Sequence, residues 1–105
     1  MFRGRKKKAA YQADIAHIDG QRVKYVTERE ADGGAETVVG RRGSVNIIDG
    51  KLKVVCGTEV FCADAGMVKA ALLMSLEGAV LSGFDETVGR ERTLVVYFHY
   101  YRKVN

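Results

Sequence analysis

Proline is absent from this chain of 105 residues, and cysteine occurs only twice. The lack of proline excludes proline-rich linkers and leaves 12 glycines as the main breakers of regular structure. A long apolar run is also missing, since the longest one, Met67 to Leu76, contains Lys69 and has about half the length of a membrane-spanning helix. No secretory signal follows the basic start. We therefore predict a cytoplasmic protein without a transmembrane segment, with both thiols free in a reducing compartment.

Basic residues are concentrated at one end of the chain. The hydrophobic fraction of 47% and the charged fraction of 29% are typical of a globular chain, and the length suits one domain. The formal net charge of +4 depends on five of the 17 basic residues, which lie within the first eight positions: Arg3, Arg5, Lys6, Lys7 and Lys8. We predict a disordered basic leader over 1–8 and a single β-rich domain over 9–105. The leader is a solvated segment, an anchor to anionic lipid or a nonspecific nucleic-acid arm, and the sequence leaves all three open.

Two dipeptides in the middle of the chain predict a three-stranded meander. Asp49-Gly50 suits a type I′ hairpin turn and Gly57-Thr58 a type II′ turn. Closing the first turn pairs Ile47 with Leu52 and Val45 with Val54. Closing the second pairs Cys56 with Glu59, Val54 with Phe61 and Leu52 with Ala63. Alternation along the strands then places six apolar residues on one face: Val45, Ile47, Leu52, Val54, Phe61 and Ala63.

The flanking segments predict further elements. Asp19-Gly20 suggests a hairpin between strands over 11–18 and 22–28, and 30–42 suggests a glycine-bearing loop around a short strand at 37–39. Good helix formers predict a helix over 65–77, capped by Asp64 and Gly78, although a strand and turn over the same residues stays open. Strands are expected at 79–84 and 91–102. The predicted fold class is therefore mainly β, a small antiparallel barrel or two-layer sandwich of about seven strands with one short helix near 65–77.

Neither cysteine is expected to carry metal or a disulfide. The predicted register points Cys56 and Cys62 to opposite faces, roughly 10 Å apart. A zinc site would need His17 and His99 from distant strands, so we predict no metal, no cofactor and no catalytic residue. A thiol activated by His99 is kept as the catalytic alternative.

Two segments carry residues suited to anionic ligands. Arg41 and Arg42, between two glycines, can form a phosphate-binding loop or a plain polar turn. In the last strand, aromatic rings alternate with basic groups, a pattern that suits base stacking as well as a hydrophobic core. The candidate binding residues are Arg41, Arg42, Tyr97, His99, Tyr101 and Arg102.

These features predict a binding or assembly module without catalytic activity. It would contact nucleic acid or a protein partner near the last strand, with the basic leader assisting, or pair with another copy through its strand edges. The alternatives are a small cysteine-dependent enzyme and an adaptor held at anionic membrane by the leader.

Overall fold

Residues 13–30 and 35–99 form seven antiparallel strands and one short helix. The computed structural model describes residues 13–30 and 35–99. The elements, in chain order, are α1 (Ala13–Ile18), β1 (Arg22–Arg29), β2 (Glu36–Ile48), β3 (Lys51–Cys56), β4 (Thr58–Asp64), β5 (Lys69–Leu72), β6 (Gly78–Asp85) and β7 (Arg90–Phe98). The basic leader and the candidate binding residues Tyr101 and Arg102 lie outside the described residues.

The strands form one continuous sheet in the order β4-β3-β2-β1-β7-β6-β5. Two local meanders, β2-β3-β4 and β5-β6-β7, are joined where β1 pairs with β2 on one side and with β7 on the other. The sheet curls so that β4 approaches β6, and the backbone N–H of Glu86 donates to the carbonyl of Cys62 at 2.7 Å. The sheet is not closed. The predicted fold class, mainly β with seven strands and one short helix, is confirmed.

The central meander has the predicted register around its first turn. Val45 pairs with Val54 and Ile47 with Leu52, as expected. Asp49 and Gly50 both have positive φ, 52° and 77°, which is the requirement of a type I′ turn. The predicted apolar face is confirmed, since all of its residues are buried except Ile47, which packs against the core.

The second turn differs from the prediction at its tip. Cys56 pairs with Thr58 and not with Glu59, and the register shifts between Val54 and Val55. This β-bulge absorbs one residue, so Val54 still faces Phe61 and Leu52 still faces Ala63. Because of the bulge, the wrong predicted pairing of Cys56 with Glu59 does not change which residues lie on the core face.

The predicted helix over 65–77 is wrong, and the helix lies at the other end of the chain. One turn starts at Asp64, whose carbonyl accepts from Met67 and Val68, but it does not continue. Lys69 to Leu72 instead pair with β6, burying Val68 and Ala70 and exposing Lys69. Helix propensity is a weak preference over ten residues, and pairing with a neighbouring strand overrides it.

The predicted hairpin at Asp19-Gly20 is also wrong. Residues 13–18 form α1, and Gly20, with φ of 89°, ends it in the left-handed conformation that favours glycine. Ile15 and Ile18 of α1 are fully buried with the core residues of the sheet. Asp19-Gly20 therefore joins a packed helix to β1. In the described segments, no helix has the length and apolarity needed to cross a membrane.

Candidate functional site

Five basic residues meet where β1 begins, β2 bends and β7 ends. Arg22 opens β1, and its carbonyl accepts from the backbone N–H of His99 at 2.9 Å. Arg22 also pairs with Ser44 of β2, two residues beyond Arg42. These pairings bring together residues that are distant in sequence. We call this set the cationic corner: Arg22, Lys24, Arg41, Arg42 and His99, all of which are exposed.

A cavity of about 330 Å³ lies within the cationic corner. Arg22, Arg42 and His99 line it together with Val23 and Gly43, so no carboxylate is among the lining residues. Among residues 13–30 and 35–99, no acidic side chain forms an ion pair with Arg22 or Arg42. Two guanidinium groups without a carboxylate partner are a suitable site for an anion, because each presents a planar fork of donors.

The backbone at Arg42 is in a conformation that ordinary side chains seldom adopt. Its φ is 54°, within the left-handed region, where a residue with a Cβ costs about 1 kcal/mol or more relative to glycine. The neighbouring Gly43 has no such φ but is needed for a different reason. A Cβ there would overlap the carbonyl oxygen of Val55 and lie 2.7 Å from Sγ of Cys56. The close approach of β3 thus fixes the chain beside Arg42.

Two aromatic rings lie next to the cationic corner on the outer face of the sheet. Tyr25 pairs with Arg41 on β2 and with Tyr97 on β7. The Tyr25 and Tyr97 rings stack with centroids 4.7 Å apart and planes inclined by 30°. Paired positions on neighbouring strands share a face, so Arg41, Tyr25 and Tyr97 form a row of planar groups.

The opposite end of β1 carries charges that are paired with one another. Arg92 has a side chain only 8% exposed and donates to Asp85 Oδ2 at 2.5 Å and to Glu28 Oε1 at 2.9 Å. The hydrogen bond from Arg92 lowers the pKa of Glu28. Arg29 pairs with Glu36, and Arg90 also pairs with Glu28. The cations at this end are thus neutralised, in contrast to those of the cationic corner.

The environment of the thiols disfavours a nucleophile. Burial raises the pKa of Cys56 and, together with the nearby Glu59 and Glu86 carboxylates, the pKa of Cys62. Cys62 Sγ lies 3.9 Å from Glu86 Oε1, which is an acceptor and not an activating cation. Both cysteines are free, as predicted. An activated thiol needs the opposite shift, toward the thiolate.

We expect both thiols to alkylate slowly at neutral pH. The raised pKa values leave little thiolate, and rates should fall below that of a free cysteine model peptide and rise together as pH is increased. Time-resolved mass spectrometry after iodoacetamide treatment measures this, with the urea-unfolded chain as the control. One thiol labelling faster in the folded protein than in urea would contradict this expectation and support the cysteine-enzyme alternative.

The structure brings some of the sequence-predicted site residues together. Arg42 and His99 line one cavity, while Arg41 and Tyr97 lie in the adjoining row with Tyr25. The predicted loop around Arg41 and Arg42 is instead an irregular part of β2. Tyr101 and Arg102 fall outside the described residues. The role of all six remains a prediction.

Arg22, Lys24 and Tyr25 were not among the residues predicted from the sequence. The Asp19-Gly20 turn predicted that β1 pairs with the preceding segment, whereas β1 lies between β2 and β7. A bulge at Lys24, where the register with β7 shifts between Val23 and Tyr25, also breaks the simple alternation of faces. The one available signal was the density of basic residues in β1 itself.

Comparison of the chain with protein-family models, with curated proteins and with solved structures finds no match to any of the three.

Proposed function

We propose that this protein is a binding module without catalytic activity, which binds the phosphate groups of nucleic acid at the cationic corner. The observation that supports this most directly is the cavity lined by Arg22, Arg42 and His99 without a carboxylate. Phosphate contacts from arginine supply much of the affinity of proteins for nucleic acids, and they make binding dependent on salt.

The conformation of Arg42 adds a second line of support. A non-glycine residue at φ of 54° destabilises the fold, yet an arginine occupies this position beside the cavity. Strained residues concentrate at binding sites, where the surrounding structure holds them in place. The strain is consistent with a guanidinium that serves a ligand and not the fold.

Replacing Arg42 by glycine separates binding from folding. We expect Arg42→Gly to weaken binding of an oligonucleotide by about tenfold or more, because a charge-assisted hydrogen bond is lost. Its free energy of unfolding should equal that of the wild type or exceed it by up to about 1 kcal/mol, because glycine adopts positive φ freely. Fluorescence anisotropy with a labelled oligonucleotide measures the first quantity, and urea unfolding measures the second.

The matched control is Lys69→Ala. It also removes one positive charge, from an exposed residue of β5, which is the edge strand of the sheet beyond β7 and β6. In a salt titration, Arg22→Ala and Arg42→Gly should each reduce the slope of log K against log salt by about 0.7, and Lys69→Ala should leave it unchanged. Equal weakening by all three variants would overturn the proposed site. Binding to anionic vesicles with no binding to oligonucleotides would overturn the proposed function in favour of the membrane adaptor.

The basic leader and the cytoplasmic location remain predictions that accompany this proposal. Arg3, Arg5, Lys6, Lys7 and Lys8 would add long-range attraction to a polyanion without specifying a position on it. A protein partner and self-association through strand edges are the alternatives to this proposal.

A further inference from the structure

We infer that the nucleic acid bound at the cationic corner is single-stranded, with a base stacked on the Tyr25 and Tyr97 ring pair while its phosphate lies in the cavity of Arg22, Arg42 and His99. This inference rests on the proposed function and adds to it the strandedness of the ligand. It depends on the juxtaposition of two features that have different chemistry.

The first step is that the ring pair and the cavity lie on the same side of the sheet. Phe98 is buried in the core, so the alternation of side chains turns its neighbours Tyr97 and His99 to the opposite, outer face. Two residues along a strand span roughly 7 Å. A single nucleotide is long enough to bridge from a base on Tyr97 to a phosphate beside His99.

A base bound at this surface would contact three planar side chains: Tyr25, Tyr97 and Arg41. Tyr25 and Tyr97 are half-buried, so neither residue is enclosed in the core. Arg41, directly opposite Tyr25, extends the row with a guanidinium plane that can also stack on a base. Single strands are commonly bound by aromatic platforms beside a cationic groove, since every base has a face that stacks.

A duplex is expected to bind less tightly than a single strand. In a duplex, both faces of each base are covered by its neighbours, so stacking on a protein ring requires the base to leave the helix at a cost of a few kcal/mol. None of the cationic-corner residues lies on α1, and an α-helix is one of the elements that the major groove of a duplex admits. The ring pair contributes to binding only when bases are already unpaired.

The experiment compares three fluorescent probes with the full chain: a thymidine strand of about 12 nucleotides, an abasic strand of the same length, and a duplex of that length. Phosphate contacts are common to all three, and only the first offers free bases. We expect the thymidine strand to bind at least about fivefold more tightly than the abasic strand. Tyr97→Leu should bind the two strands equally, whereas Tyr97→Phe, which keeps the ring, should retain the difference.

The outcomes separate this inference from the proposed function. Equal affinity of the wild type for the thymidine and abasic strands, or tighter binding of the duplex, would overturn the inference. The proposed function would stand in that case if Arg42→Gly still weakened the binding of all three probes. No binding of any probe would overturn both. The comparison of wild-type protein with the abasic strand needs no variant, so the inference stays testable if Tyr97→Leu fails to fold.

Discussion

Replacing Asp85 by alanine should lower the free energy of unfolding by about 3–5 kcal/mol. Asp85 is fully buried, and its Oδ2 accepts from Arg92 while its Oδ1 accepts from the backbone N–H groups of Cys62 and Thr87. With alanine at position 85, the buried Arg92 guanidinium would keep only one of its two carboxylate partners, Glu28. The total stability of a domain of this size is about 5–15 kcal/mol, so the loss should be large enough to measure by urea unfolding at neutral pH.

Two control variants give this prediction its specificity. Glu91→Ala removes the same charge from an exposed position of β7 and should change stability by less than about 0.5 kcal/mol. The double variant Asp85→Leu with Arg92→Met removes the buried guanidinium together with the carboxylate and should lose less than Asp85→Ala, although the N–H groups of Cys62 and Thr87 still lose their acceptor. If the free energy of unfolding of Asp85→Ala lay within about 1 kcal/mol of the wild-type value, the Asp85–Arg92 pair would not be what holds β4, β6 and β7 together.

Acid should remove the same stabilisation. Burial acts to raise the pKa of Asp85, but hydrogen bonds from Thr87, Cys62 and Arg92 outweigh it, and the pKa lies below its ordinary value. Because the folded-state pKa is depressed, the stabilisation is present above the unfolded-state pKa of about 4 and is lost as pH falls through the folded value. Asp85→Ala should accordingly flatten the decline of stability below about pH 4.

Replacing Gly43 by alanine should destabilise the protein by about 3 kcal/mol or more. The added Cβ would overlap the carbonyl of Val55 and lie 2.8 Å from Cα of Cys56, and both are backbone atoms that move only if β3 separates from β2. Overpacking of this kind ordinarily costs about 1–3 kcal/mol, and rigid neighbours place it at the upper end. Thermal or urea unfolding measures the loss.

Gly66→Ala is the matched control for Gly43→Ala. It adds the same methyl group where the nearest atom, 3.3 Å away, belongs to the flexible carboxylate of Asp64. Its cost should stay below about 1 kcal/mol. If the two variants were equally stable, β3 would be free to shift, and the fixed backbone beside Arg42 would need another explanation.

Local signals in the sequence were sufficient for part of this fold. The turn at Asp49-Gly50 needs only two residues with positive φ, and the register of β2 and β3 follows from it. The strand β7 was found because β-branched and aromatic residues make up most of it. In each case the decisive interaction is between residues close in sequence.

The errors have a common cause in long-range pairing. The 65–77 segment has the composition of a helix, but β6 is the partner that makes Lys69–Leu72 a strand. The cationic corner is complete only because β1 pairs with β7, some 70 residues later, and no local pattern encodes that pairing. Four residues of the candidate site could therefore be named from the sequence, Arg41, Arg42, Tyr97 and His99, but their assembly into one site could not be predicted.

The central position of β1 has a consequence for how the molecule is made. Arg22 and Arg42 are made before β7, the strand that completes their surroundings. Pairing of β1 with β7 must wait until the roughly 70 residues between them have been made, and contacts of such high sequence separation form slowly. The cavity at the cationic corner is thus among the last of the described features to assemble, so a chain that ends before β7 lacks it.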